Sequence, residues 1–218
     1  MPYNLCLFDL DGTLTDPKEG IIKSRRYALS SFGIEVDLNE LRESIGPPLR
    51  EFFREFYNFS ETEVEAAVSK YREYFSKTGI FENILYAGIV DMLAQLKDNG
   101  VITAITTSKP TVFAEKIAVH FGLQQYFDFI IGSELDGRRS RKSEIINYVL
   151  DTIDPERKML SVMIGDRKHD IIGAQEMGID SIGVTWGYGS FSELEGIKPT
   201  MIANSPDELC RLILGKSI

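Results

Sequence analysis

The chain has 218 residues, with 24 Lys plus Arg against 33 Asp plus Glu for a net charge of −9, and an apolar share of 43%. That balance excludes a disordered chain, and the acidic excess argues against a binder of nucleic-acid polymers, whose phosphates are held by clustered Lys and Arg. No window reaches the about 18 apolar residues of a membrane span, and Asp9 and Asp11 interrupt any signal-peptide core, so a cytoplasmic protein with no membrane partner is expected.

Tyr3 to Phe8 is a short apolar run, holding Cys6, that ends in Asp9-Leu10-Asp11-Gly12 and reads as a buried strand feeding a turn. From about Asp16 to Glu82 the pattern is helical: Glu19 to Phe32, stopped by Gly33; a short segment near Leu38 to Ser44; Leu49 to Tyr57; and a longer helix after Ser60. Ser60-Glu61-Thr62-Glu63 has the capping-box form, and Val64, Ala67, Val68, Tyr71 and Phe75 follow at helical spacing. The stretch is rich in aromatic residues, which marks a small helical unit with its own core.

After Glu82 helices and strands alternate, the signature of a parallel sheet covered on both faces. A helix over Gly88 to Lys97 ends at Asn99-Gly100; a strand over Val101 to Thr106, a helix over Thr111 to Phe121 and a strand over Phe129 to Ile131 follow. Next come a helix over Lys142 to Ile153, a strand over Met159 to Ile164, a helix over Asp170 to Met177 and a strand over Ser181 to Val184. A strand near Met201 to Ala203 precedes Ser205-Pro206-Asp207-Glu208 and a last helix to Leu214, which carries Cys210. The cysteines lack any metal-binding spacing and read as buried free thiols. The expected fold is α/β: a doubly wound, Rossmann-like parallel sheet over residues 1–15 and 83–218, with a helical domain inserted over residues 16–82. Function is expected at the carboxyl ends of the strands.

Asp9 and Asp11, two residues apart on an extended segment, project into one space while Leu10 turns back to the core. Their mutual repulsion calls for a bound cation or a shared proton; a pair of turn aspartates is the plain alternative. A second apolar strand ends in Gly165-Asp166-Arg167-Lys168-His169-Asp170. A parallel sheet would bring Asp166 to the same edge as Asp9, where carboxylate oxygens suit Mg²⁺. Thr106-Thr107-Ser108-Lys109-Pro110 follows another strand as a hydroxyl turn suited to phosphate oxygens, and Arg138-Arg139-Ser140-Arg141-Lys142 brings positive charge before a helix.

These segments resemble the motifs of the haloacid dehalogenase superfamily, in its phosphatase branch with a helical cap inserted after the first strand. Phe8 to Leu14 resembles the first motif, Thr107 to Pro110 the second, Lys142 the third and Gly165-Asp166 through Asp170 the fourth. The resemblance implies a Mg²⁺-dependent phosphatase acting on a small-molecule phosphate monoester of the phosphoglycolate or 5'-nucleotide type. By that resemblance Asp9 is the nucleophile that becomes an aspartyl phosphate, and Asp11 is the general acid and then the general base. Mg²⁺ is held by Asp9, the Asp11 carbonyl and Asp166, with Asp170 assisting. Thr107, Ser108 and Lys142 hold the transferring phosphoryl group. Gly46-Pro47-Pro48-Leu49-Arg50 resembles a cap loop that would bring Arg50 to the substrate, against a plain reading of Arg50 as a surface arginine at a helix start. Gly132-Ser133-Glu134-Leu135-Asp136-Gly137 is similar to a 5'-nucleotidase subgroup.

Asp11 argues against the dehalogenase and phosphonate-cleaving branches, which lack it. A sugar phosphomutase keeps both acids and is the enzymatic rival; a receiver-like phosphorylated binding module is the rival from another class. His169 and His120 read as surface or supporting residues, the Arg138, Arg139 and Arg141 cluster as a solvated basic loop or an attractor of anions, and Trp186-Gly187-Tyr188-Gly189 as a tight turn.

Overall fold

The computed structural model describes residues 3–43 and 49–215. The chain forms two compact units, Met1–Asp16 with Leu85–Ile218, and Pro17–Ile84. In the first unit β1 (Leu5–Phe8) leads to the short β2 (Thr15–Asp16), and the chain returns through β3 (Ile84–Leu85), which pairs with β2. Then follow α5 (Ile89–Asp98), β4 (Ile102–Pro110), α6 (Thr111–His120), β5 (Phe129–Ser133) and α7 (Lys142–Ile153). The unit continues with β6 (Ser161–Gly165), α8 (Lys168–Glu176), β7 (Asp180–Val184), α9 (Phe191–Ile197), β8 (Met201–Ala203) and α10 (Pro206–Leu214). Among the described residues, six strands form one sheet in the order β5-β4-β1-β6-β7-β8, with every neighbouring pair parallel.

Numbered along the sheet, that order is 3-2-1-4-5-6, the doubly wound arrangement. It sets aside the receiver-like alternative, whose sheet runs 2-1-3-4-5. All four residues of β1 are fully buried, as a central strand covered on both faces requires. Leu5 and Leu7 share one face with Met163 and Ala104, packed under Ile145, Ile146, Val149 and Leu150 of α7 and Ala174 of α8.

Three of the boundaries that differ from the sequence expectation have a local cause. β4 runs on through the expected hydroxyl turn to Pro110, which pairs with Ser133 of β5 beyond the two unpaired residues Ser108 and Lys109, and the Ser133 hydroxyl donates to the Ser108 carbonyl at 2.8 Å. β6 starts at Ser161 because Asp154 captures the N–H groups of Lys158 (2.9 Å) and Met159 (2.8 Å). α8 starts at Lys168, placing Asp170 in its first turn, where the carboxylate accepts the Arg167 N–H at 3.1 Å. No helix is long and apolar enough to cross a membrane among the described residues.

The second unit contains α1 (Lys18–Ser30), α2 (Leu38–Glu43), α3 (Leu49–Tyr57) and α4 (Glu61–Phe75). The expected capping box opens α4, with Ser60 N–H donating to Glu63 at 2.8 Å, and Val64, Ala67, Val68, Tyr71 and Phe75 are its buried residues. Phe52 and Phe53 of α3 are fully buried, and the Arg25 guanidinium lies 3.9 Å over the Phe52 ring. Gly20 sits inside α1, where alanine is ordinarily favoured by about 1 kcal/mol. Here a Cβ would collide with the Gly79 carbonyl oxygen. Gly20→Ala is therefore expected to destabilise the protein by roughly 1–3 kcal/mol, opposite in sign to helix propensity, as read from the midpoint of urea unfolding.

Candidate active site

β1 and β6 are neighbours with Phe8 opposite Ile164, so the chain leaves both strands at the same level. The Asp9 N–H continues the ladder onto the Ile164 carbonyl at 2.8 Å. The strand order reverses direction between these two strands, and in such sheets the crevice beyond that point is where ligands bind. One carboxylate oxygen from each of Asp9, Asp166 and Asp170 lies within 4.8 Å of the others in that crevice.

Glycines let the backbone close around the acids. A Cβ at Gly12, which has a φ of 91°, or at Gly187 would run into Asp166, and one at Gly165 into Asp170. Asp166 accepts hydrogen bonds from the Thr13 hydroxyl at 3.3 Å and the Tyr188 N–H at 2.7 Å. Burial pushes its carboxyl up to about 7, and the charges of Asp170 and Asp9 push the same way. Asp170 is likewise raised by burial, with Lys142 opposing the shift.

Two lysines divide the carboxylates. Lys142, the first residue of α7, places its Nζ 2.8 Å from Asp9 Oδ1, 2.8 Å from Asp170 Oδ1 and 3.0 Å from the Thr106 carbonyl. Burial disfavours its charge, but Asp170 and Asp9 outweigh that and raise its pKa. Lys109 Nζ stands 2.7 Å from Asp11 Oδ2. Burial raises the Asp11 carboxyl while Lys109 lowers it, and its Oδ1 is buried with no hydrogen-bond partner. Four acids against two lysines leave two negative charges uncompensated when all are ionised. Together with an all-oxygen donor set, that fits a hard divalent cation such as Mg²⁺.

Of the expected site residues, the structure brings Asp9, Asp11, Asp166, Asp170 and Lys142 together. Thr107 lies on β4, next to β1; it is buried, and its Oγ1 accepts the Lys109 N–H at 3.2 Å. Ser108 beside it is exposed. Arg50 belongs to the helical unit, where it pairs with Glu65, Nη2 donating to Oε2 at 3.1 Å; Gly46, Pro47 and Pro48 before it lie outside the described residues. His169 and His120 are both exposed. Arg138 pairs with Asp136, and Arg139 with the Gly132 carbonyl and Glu134.

Sequence reasoning assigned no partner to Lys109 and read the Trp186–Gly189 segment as a bare turn. Trp186 Nε1 donates to the Thr13 carbonyl at 3.0 Å, and the Tyr188 hydroxyl to Asp16 at 2.5 Å, so this segment clasps the loop after β1. The available signal was its place just beyond a strand ending at the same edge as Asp166.

Comparison with known proteins agrees with this geometry. The haloacid dehalogenase-like hydrolase family model matches residues 6–184. A 5'-nucleotidase of Pseudomonas aeruginosa is 47% identical over 199 residues, 91% of this chain and 90% of that protein. The tyrosine-protein kinase PtkA of Mycobacterium tuberculosis is 40% identical over 208 residues, 94% of this chain and 70% of that protein. The crystal structure of a predicted phosphatase from Clostridium acetobutylicum has a TM-score of 0.92 at 47% identity, covering 99% of this chain and all of that one. With an acid cluster at the switch point of a doubly wound sheet and a family match over most of its length, the chain belongs to the haloacid dehalogenase-like hydrolase family.

Proposed function

We propose that the protein is a Mg²⁺-dependent phosphatase of the cytoplasm that cleaves a small phosphate monoester through an aspartyl phosphate on Asp9. The observation that carries this reading is the cluster of Asp9, Asp166 and Asp170 around Lys142 at the ends of β1 and β6. Asp9, the Asp11 carbonyl, Asp166 and Asp170 would hold Mg²⁺. When bound, the ion supplies positive charge that offsets the repulsion between a carboxylate nucleophile and a phosphate dianion.

In this reading an Asp9 carboxylate oxygen attacks phosphorus, the bond from phosphorus to the ester oxygen breaks, and that oxygen keeps the electron pair. Asp11 gives it a proton, and the alcohol leaves. The Asp11 carboxylate then takes a proton from water as the water oxygen attacks the phosphoryl group; the bond to Asp9 breaks and inorganic phosphate is released. Lys142 stands against Asp9 Oδ1 and adds positive charge beside the transferring group. The Thr107 hydroxyl and the Ser108 N–H are assigned to its oxygens.

The helical unit is assigned selectivity, with Arg50 as the side chain that would meet the substrate. The extensive identity to a protein named 5'-nucleotidase supports a 5'-nucleotide, and phosphoglycolate is the second substrate class to test. A phosphate-release screen over nucleotides, phosphoglycolate and sugar phosphates tests the choice. A sugar phosphomutase would instead need a bisphosphate primer and release little phosphate.

Asp9→Asn is expected to lower phosphate release by about 10⁴-fold or more with an unchanged circular dichroism spectrum; near-normal turnover in that variant would refute the covalent mechanism. EDTA should silence the enzyme and Mg²⁺ restore it, and full activity in metal-free buffer would remove the cation from the reading. Asp11→Asn should lose hydrolysis of alkyl phosphates by about 10²–10⁴-fold. The same variant should still be phosphorylated by an aryl phosphate, whose leaving group needs little protonation, and should accumulate phosphoenzyme visible by intact mass.

A further inference from the structure

The carboxyl end of β4 carries an irregularity, and the roles above use Thr107 and Ser108 there but give none to Lys109. Thr107 pairs with Gly132 of β5, but the next paired residue on β4 is Pro110, opposite Ser133. Ser108 and Lys109 therefore stand as two extra residues looped out of the ladder, and such bulges re-aim side chains beside functional sites.

The bulge is fastened at several points. The Ser133 hydroxyl holds the Ser108 carbonyl at 2.8 Å, the Lys109 N–H donates to Thr107 Oγ1 at 3.2 Å, and the Gly132 N–H donates to Thr111 Oγ1 at 3.0 Å. Gly132 is the residue that makes room: a Cβ there would collide with the Lys109 carbonyl oxygen. The result is a lysine side chain only 7% exposed, with Nζ 2.7 Å from Asp11 Oδ2. A freely moving surface lysine would not be shielded this way.

We propose that Lys109 is a positioning residue for Asp11, held by the β4 bulge so that its ammonium fixes one carboxylate oxygen and leaves the other to carry the proton. The inference rests on Asp11 being the general acid and base. A carboxylate on a short side chain can turn about its Cβ–Cγ bond, and a proton carrier that turns spends part of its time aimed away from the leaving oxygen. The ion pair to Oδ2 restricts that rotation, and Oδ1 is the oxygen with no hydrogen-bond partner. Lys142 cannot serve instead, because its Nζ is already shared by Asp9, Asp170 and the Thr106 carbonyl. The two lysines thus serve different acids, Lys142 the proposed nucleophile and Lys109 the proposed proton carrier.

The test compares the full-length wild type, Lys109→Met, Lys109→Arg and Asp11→Asn on an alkyl phosphate and on 4-nitrophenyl phosphate, with Mg²⁺ saturating. Met keeps the bulk of the stem and loses the charge, whereas Arg keeps a donor within reach. Lys109→Gln provides the same comparison if the Met variant does not fold by circular dichroism. Lys109→Met is expected to slow the phosphorylation step, read as single-turnover release of the alcohol or 4-nitrophenol, about 10- to 100-fold for the alkyl substrate but less than about 3-fold for the aryl one, to slow phosphate release from the phosphoenzyme equally for both, and to leave substrate Kd near wild type, with most of the loss recovered in Lys109→Arg. A weaker substrate Kd with an equal loss of the phosphorylation rate on both substrates would overturn the inference and make Lys109 a phosphate-binding residue, and wild-type kinetics in Lys109→Met would overturn it too. If Asp11→Asn separates the substrates and Lys109→Met does not, only the positioning role falls. If Asp11→Asn itself fails to separate them, the proton-carrier reading falls and the role of Lys109 falls with it.

Discussion

Three like-charged side chains share one buried space at the ends of β1 and β6, and much of the surrounding structure answers that fact. Two carboxylates about 4 Å apart repel by roughly 4 kcal/mol at an effective dielectric near 20, and burial adds a desolvation cost for each. Lys142 offsets part of it by touching both Asp9 and Asp170. Hydrogen bonds from Thr13 and the Tyr188 backbone serve Asp166, and the Arg167 N–H serves Asp170. What remains appears as carboxyl groups with raised proton affinity, a condition that a divalent cation relieves.

The same crowding separates the two aspartates of the first motif. Asp9 faces the shared lysine and the acid cluster, whereas Asp11 has a lysine from another strand. Environments that differ in this way are what the two roles proposed for this short segment would require. Backbone geometry makes the division possible: an extended stretch sends residues i and i+2 to the same side, and the turn at Gly12 brings the chain back against Asp166.

The sheet was legible in the sequence because each central strand is an apolar run ended by a polar signal, and the acids were legible because they terminate such runs. Features that depend on a neighbouring strand were not. The β4 bulge is set by Gly132 and Ser133, more than twenty residues away, so Thr106 to Pro110 alone reads as a turn. The link between Lys109 and Asp11 is invisible for the same reason. α9 escaped notice because its only buried residue is Leu194, which gives no period to read. Asp154 trimmed the start of β6 through side-chain capture of two N–H groups, and nothing in an apolar run announces such a competitor.

The places where the chain leaves and re-enters the α/β unit have a consequence for how such a protein changes over time. Thr15–Asp16 and Ile84–Leu85 are hydrogen-bonded neighbours, the Tyr86 N–H is held by the Leu14 carbonyl at 3.2 Å, and Asp16 receives the Tyr188 hydroxyl. Both ends of residues 17–84 are thereby tied together by contacts with few demands on what lies between them. Loop-closure entropy grows only slowly with length, so an insertion anchored at two adjoining points can be lengthened, shortened or exchanged at little cost to its host. Mutation can then remodel the helical segment while the carboxylate cluster of the α/β unit is inherited unchanged.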